Sequence, residues 1–148
     1  MASIERQTTI NAPAAKIFSY LADFPRHSEW AAHRLRIQQN SEGAVEVGTT
    51  FASVGHMMGQ DHADQVTITE FVPNSRIAFE SVGDAGLWRH YIQLQEESGG
   101  TRLTKGSEIL KPSLMTGLLA PIAKMFIFPA ALEGDLKRIK AKLEQGGG

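Results

Sequence analysis

The chain of 148 residues contains no cysteine. Disulfides and thiolate metal sites are therefore excluded, and packing must hold the fold. A surplus of either charge is also missing. Fifteen Lys and Arg stand against sixteen Asp and Glu, for a net charge of −1. No field of one sign exists to draw in nucleic acid. The opening MASIERQTTI lacks the apolar segment of a secretory signal. A long uninterrupted apolar run is absent too. The best stretch, Pro112 to Leu132, carries Lys124, Pro121, Pro129 and Gly117, and falls short of a membrane span. These absences leave a cytoplasmic protein as the expectation, with no nucleic-acid partner and no stable membrane insertion. At this length one domain can bury roughly 70% of its unfolded surface, so a full core needs no staples.

What is present is an ordered alternation of patterns. Ser3 to Ile10 is rich in Ile and Thr and reads as a strand. Asn11-Ala12-Pro13 starts a helix, because proline suits the first turn. Ile17, Phe18 and Leu21 give that helix one apolar face. Phe24-Pro25 ends it, and Arg26 to Trp30 forms a second short helix or turn. Strands are then expected around Leu35 and Ile37, and over Thr49–Val54, His62–Val72, Arg76–Val82, Leu87–Gln95 and Thr101–Leu110. The segment His56 to Asp61 reads as a loop, with Met57-Met58 as an entrance gate and Gly59 letting it bend. Short turns between strands predict an antiparallel meander.

The longest helical reading comes last, over Pro112 to Leu143, with Ser113 as its N-cap. Leu118, Ile122, Met125, Phe126, Leu132, Leu136, Ile139 and Leu143 recur at helical spacing. The half up to Leu132 is apolar nearly all round. The half from Glu133 is amphipathic, with Asp135, Lys137, Arg138, Lys140 and Lys142 on its wet side. Pro121 and Pro129 are each expected to kink or interrupt the helix. One strand, two short helices, six strands and a long helix make an α+β arrangement, with helices gathered on one face of an antiparallel sheet.

The segment TTINAPAAKIFSYLADFPRHSEW, through Ala12, Pro13, Ile17, Phe18, Leu21, Asp23 and Trp30, resembles the start of START-like, SRPBCC-type proteins. It is most similar to their polyketide cyclase/dehydrase and lipid transport group. VGTTF (Val47–Phe51), EFVPNSRIAFES (Glu70–Ser81) and GGTRLT (Gly99–Thr104) resemble the later strands of that group. The resemblance implies a helix-grip fold: a curved, seven-stranded antiparallel sheet wrapped around a long C-terminal helix. Two short helices lie between strands 1 and 2. It implies a single domain over residues 1–145, followed by a flexible tail at Gly146 to Gly148. Members of the superfamily include polyketide cyclases, sterol and lipid carriers, plant hormone receptors and ubiquinone-binding proteins. The fold alone does not choose among them.

Strand parity identifies the side chains that face the helix. Phe51 and Ser53, Val66 and Ile68, Ile77, Phe79 and Ser81, Trp88, His90, Ile92 and Leu94, and Leu103 and Ile109 form the inward set. Phe51, Val66, Ile68, Phe79, Trp88, Ile92 and Leu103 are the candidate ligand contacts on the sheet. Leu118, Ile122, Met125 and Phe126 are their counterparts on the helix, covering the cavity or its mouth. Four polar groups share the inward parity: His62, Asp64, His90 and Lys105. They would orient the polar end of a ligand or supply general acid and base for an aldol-type ring closure. An ion pair or a solvated rim would account for the same residues without chemistry. His62, Asp64 and His90 lack a recognised metal-ligand spacing, so neither metal nor cofactor is expected. His27, His33 and His56 read as loop or surface residues. Trp30 reads as core, and Trp88 is open between core and ligand stacking.

The leading expectation is a binding module for a small hydrophobic or amphipathic molecule, such as a lipid, quinone or polyketide-like compound, working as a monomer or homodimer. The alternative is a polyketide cyclase/dehydrase-type enzyme using the four polar groups. A third reading is a partner-binding regulator or lipid-dependent chaperone.

Overall fold

The computed structural model describes residues 3–31, 34–57, 59–114 and 128–145. The chain forms β1 (Ser3–Ile10), α1 (Ala14–Ala22), a 3-10 helix (Phe24–Glu29), β2 (Arg34–Gln39), β3 (Thr50–Met57), β4 (Gln60–Val72), β5 (Arg76–Gly83), β6 (Gly86–Glu97), β7 (Gly100–Pro112) and α2 (Phe128–Glu144). The seven strands make one sheet in the order β1-β7-β6-β5-β4-β3-β2. Every pairing is antiparallel. This is the helix-grip α+β architecture.

Local chemistry explains the elements. Pro13 occupies the N-cap position of α1 at φ −70° and ψ 150°, an extended geometry that proline's ring supports. Ile17, Phe18, Tyr20 and Leu21 bury one side of the helix. The Tyr20 hydroxyl donates to Glu29 at 3.0 Å, tying α1 to the 3-10 helix. The β3–β4 connection is shorter than the sequence suggested. His56 pairs with Asp61 and Met57 with Gln60, so the expected gating loop His56–Asp61 is mostly strand. Gly59 turns the chain at φ 77°, a conformation that side-chain-bearing residues rarely adopt.

A bulge in β4 shifts the register between Ile68 and Glu70. The extra residue changes parity, so Ile68 and Phe71 both reach the inward face. Phe71 packs edge-on against Phe18, with ring centroids 5.2 Å apart. Bulges also increase local twist and bend the strand, which curves the sheet toward α1 and α2. Ile10, Ile17, Leu21, Phe24, Phe51, Ile68, Ile77, Leu103 and Ile139 are fully buried in this concavity. Each such side chain contributes roughly 1.5–3 kcal/mol.

Helix α2 lays Leu132, Leu136, Ile139 and Leu143 on the sheet. Polar ties fix its position. Glu144 accepts from the Asn11 backbone N–H at 2.7 Å, Arg6 meets Glu133 at 3.4 Å, and the Arg138 Nε donates to the Trp30 carbonyl at 2.7 Å. Asp135 departs from the sequence reading. It was expected on the wet side of the helix, yet it is buried among these contacts. Three residues after Leu132 and four before Ile139, it sits within the apolar stripe itself. Pro129 lies at the N-terminal end of the described part of α2. Pro121, Leu118, Ile122, Met125, Phe126, Met58 and His33 lie outside the described residues.

Candidate functional site

The register of the sheet builds the inward face row by row. Phe79 on β5, His90 on β6 and Ser107 on β7 are directly opposed in one row. Ser81, Trp88 and Ile109 form the next row, and Ile77, Ile92 and Lys105 the row on the other side. Phe51 pairs with Val66, and Ile68 with Phe79. The parity expected for these strands therefore holds across the middle of the sheet.

An aromatic cluster closes one end of this face. Phe24 stacks on Phe51 at 4.6 Å and meets Phe79 edge-on at 5.1 Å. His27 stacks on Phe24 at 4.3 Å, and its ring lies 4.6 Å from that of Trp30. His27 was expected at the surface but is only 2% exposed. The reason is local geometry. Residues three apart eclipse one another on a 3-10 helix, so Phe24, His27 and Trp30 fall on one side. His27 Nε2 donates to the Leu21 carbonyl at 2.8 Å, because a carbonyl can only accept. Burial pushes its pKa down to about 4.

His90 sits between two hydroxyls. Its Nδ1 lies 2.8 Å from Ser107 Oγ and its Nε2 3.3 Å from Ser81 Oγ. Removal from bulk water, followed by the nearby Lys105 and His27, pushes its pKa down to about 3. The ring is therefore neutral at physiological pH, and the residue as a whole is half-buried. Phe79 and Trp88 flank it, with ring centroids 5.1 Å and 6.0 Å away. Phe128 of α2 meets Trp88 edge-on at 5.1 Å.

Lys105 is buried and pairs with Asp135 at 3.5 Å. Burial lowers its pKa, and the Asp135 carboxylate opposes that shift. Asp135 also accepts from Arg138 at 2.9 Å. The Lys105 ammonium lies 5.5 Å from the centre of the Trp30 ring, within cation–π range. The Trp30 indole nitrogen is buried with no hydrogen-bond partner among the described residues.

His62 and Asp64 lie toward the far end of β4. His62 Nδ1 approaches the exposed Asp84 at 3.4 Å. Asp64 lies over Gly83, where an added Cβ would fall 1.8 Å from its Oδ1. The structure thus groups His90 and Lys105 with His27 and Asp135, and sets His62 beside a turn residue. His56 is exposed and paired with Asp61 at 2.8 Å. Among the described residues, no group of three or more His, Asp or Glu is placed to hold a metal. Among the described residues, depressions of about 340 and 350 Å³ lie at the surface, and neither is lined by Phe79, Ser81, His90 or Ser107.

Two residues of this cluster, His27 and Asp135, carry a signal in the sequence pattern. His27 lies three residues from both Phe24 and Trp30. Asp135 interrupts an apolar stripe while an unpaired cation, Lys105, shares the inward parity of β7.

The sequence pattern of the polyketide cyclase/dehydrase and lipid transport family matches residues 1–144. The chain belongs to this family. Solved structures share the fold of this family member at low identity. Protein CV1439 from Chromobacterium violaceum superposes with a TM-score of 0.72 at 20% identity, over 95% of this chain and 96% of that one. DR_A0006 from Deinococcus radiodurans gives 0.72 at 16% identity, over 99% of both chains. DynU16, a protein of the dynemicin biosynthetic locus, gives 0.67 at 15% identity, over 99% of this chain and 48% of that one. No curated protein matches the chain at a significant level. Among the described residues, no helix is long and apolar enough to cross a membrane.

Proposed function

We propose that this family member binds a small hydrophobic or amphipathic molecule between the concave face of the sheet and its C-terminal helical segment. The observation that carries the reading is the inward face around His90. There, polar groups held neutral or paired are set among Phe79, Trp88 and Phe24, and His90 as a whole is half-buried. Aromatic walls with a few placed polar groups are the usual composition of small-molecule sites. The candidate contacts Phe51, Val66, Ile68, Phe79, Trp88, Ile92 and Leu103 belong to this proposal. Leu118, Ile122, Met125 and Phe126, expected from the sequence on the same wall, lie outside the described residues.

Native mass spectrometry of protein purified from its own host tests this reading. A retained lipid-, quinone- or polyketide-like mass is expected, displaced by organic solvent. Apo mass alone in every preparation, together with no uptake of added apolar probes, would refute it.

A second reading is favoured by one specific contact. A neutral imidazole lies 2.8 Å from a serine hydroxyl beside a buried lysine, and such groups serve proton transfer. In a cyclase/dehydrase of this kind, His90 and Lys105 would move protons, with His62 and Asp64 farther along β4. Turnover of an added poly-β-ketone substrate that His90→Phe abolishes, with binding retained, would support it. Binding without turnover would leave the carrier reading.

A further inference from the structure

Ser81, His90 and Ser107 lie on three adjacent strands, Ser107 directly opposite His90 and Ser81 diagonal to it, and form a polar triad with one neutral imidazole between two hydroxyls. A neutral imidazole carries one N–H and one bare nitrogen. One serine must therefore accept from the ring while the other donates to it. The serine that accepts keeps its own O–H to offer. The serine that donates keeps its lone pairs. Neither hydroxyl has another hydrogen bond among the described residues. Exchanging the imidazole tautomer reverses both ends, with no net charge created.

We propose that Ser81, His90 and Ser107 form the polar subsite of the binding face, and that it takes a neutral oxygen of an aromatic or polycyclic ligand, either ketone or hydroxyl. This rests on the ligand-binding reading above and names its ligand class. A ligand ketone needs a donor, so the serine it touches gives its O–H and accepts from the ring. A ligand hydroxyl gives its proton to that serine, which then donates to the ring. The two ligands are met by opposite tautomers of His90 and by the same heavy-atom positions. A carboxylate gains less, because the triad carries no charge to offset its desolvation. The buried cation nearby, Lys105, is already engaged by Asp135 at 3.5 Å. Phe79 and Trp88, whose rings flank His90, supply apolar surface for the ring bearing the oxygen.

The test uses the full chain and four probes: naphthalene, 2-naphthol, 1,4-naphthoquinone and 2-naphthoate. Titration calorimetry on the wild type should show naphthol and naphthoquinone binding within about threefold of each other. Each should bind roughly three- to tenfold more tightly than naphthalene, the yield of one hydrogen bond. Naphthoate should bind roughly tenfold more weakly than naphthol. In the Ser81→Ala/Ser107→Ala double variant, which removes only two hydroxyl oxygens, the advantage over naphthalene should vanish while naphthalene affinity stays. His90→Phe should behave likewise. Nitrogen-15 spectra of the imidazole should show opposite ring nitrogens protonated with naphthol and with naphthoquinone. The same tautomer with both probes, a doubly protonated ring, or naphthoate as the tightest ligand would overturn the proposal. Naphthalene binding with no gain from oxygen would overturn the polar subsite alone. Failure of all four probes to bind would remove the ligand-binding reading and this one with it.

Discussion

His27 makes the stability of this protein depend on pH in a calculable way. Its imidazole is 2% exposed, and its pKa falls from 6.5 to about 4 on folding. Between those values the unfolded chain holds a proton that the folded chain excludes. The unfolded state therefore binds more protons, and stability declines as the pH drops through that window. Going from about pH 7 to about pH 5, this one group should remove about 2 kcal/mol. With an m-value of about 2 kcal/mol/M, the urea midpoint should fall by roughly 1 M. His90 shifts in the same direction and adds to the wild-type decline. His27→Gln isolates the His27 share, because the amide can still donate to the Leu21 carbonyl and cannot titrate. The variant loses the stacking on Phe24 at every pH, so its baseline is lower. Its decline between the two pH values should be smaller than wild type by about 2 kcal/mol. Urea unfolding followed by tryptophan fluorescence measures both. Equal declines in the two proteins would mean that His27 is hydrated in the folded state, and the buried 3-10 face would be wrong.

Breaking the buried pair should be costly. Asp135→Asn leaves Lys105 without its counter-charge and should destabilise by roughly 3–5 kcal/mol, whereas Lys105→Met combined with Asp135→Leu should recover most of that in the same urea assay. A cost below about 1 kcal/mol for the single change would show that the lysine reaches water. On the outer face, the Tyr91 ring covers Gly106, where an added Cβ would fall 2.2 Å from the ring. Gly106→Ala should displace Tyr91 from Glu5 and Arg76 and lower stability by about 1–3 kcal/mol, read as a drop in the thermal midpoint. Tyr91→Phe, which keeps the ring in place, should cost less than the glycine change.

Much of the fold was written in periodicity. The alternation of Trp88, His90, Ile92 and Leu94 fixed the inward face of β6, and the turn glycines marked the hairpins. The pattern was less informative where an element departs from the two common periods. A six-residue 3-10 helix repeats every three residues, so the burial of His27 beside Phe24 and Trp30 was hidden behind a surface reading. At Asp135 the charge points to solvent while the helical position points to the core, and the position decides. A carboxylate inside an apolar stripe is stable only opposite a cation, and that cation is about thirty residues away, on β7. The pairing of His90 with two serines needed the register of three strands, which parity within one strand does not supply. The bulge at Ile68–Glu70 likewise has no signature in composition.

The placement of β1 has a consequence for the order of assembly. Strands β2 to β7 are neighbours in sequence and in the sheet, so each hairpin can close as it is synthesised. β1 pairs with β7 instead, and must wait from Ile10 until Gly100 has been made. At about 5–20 residues per second, that wait on the ribosome is roughly 5–20 s. During it β1 lacks the strand it pairs with in the finished sheet, and an unpaired strand edge is what recruits other chains. Its Glu5, Arg6 and Gln7, which contribute little to the core, make such recruitment unfavourable. The polarity of the first strand thus protects the nascent chain before it serves the finished one.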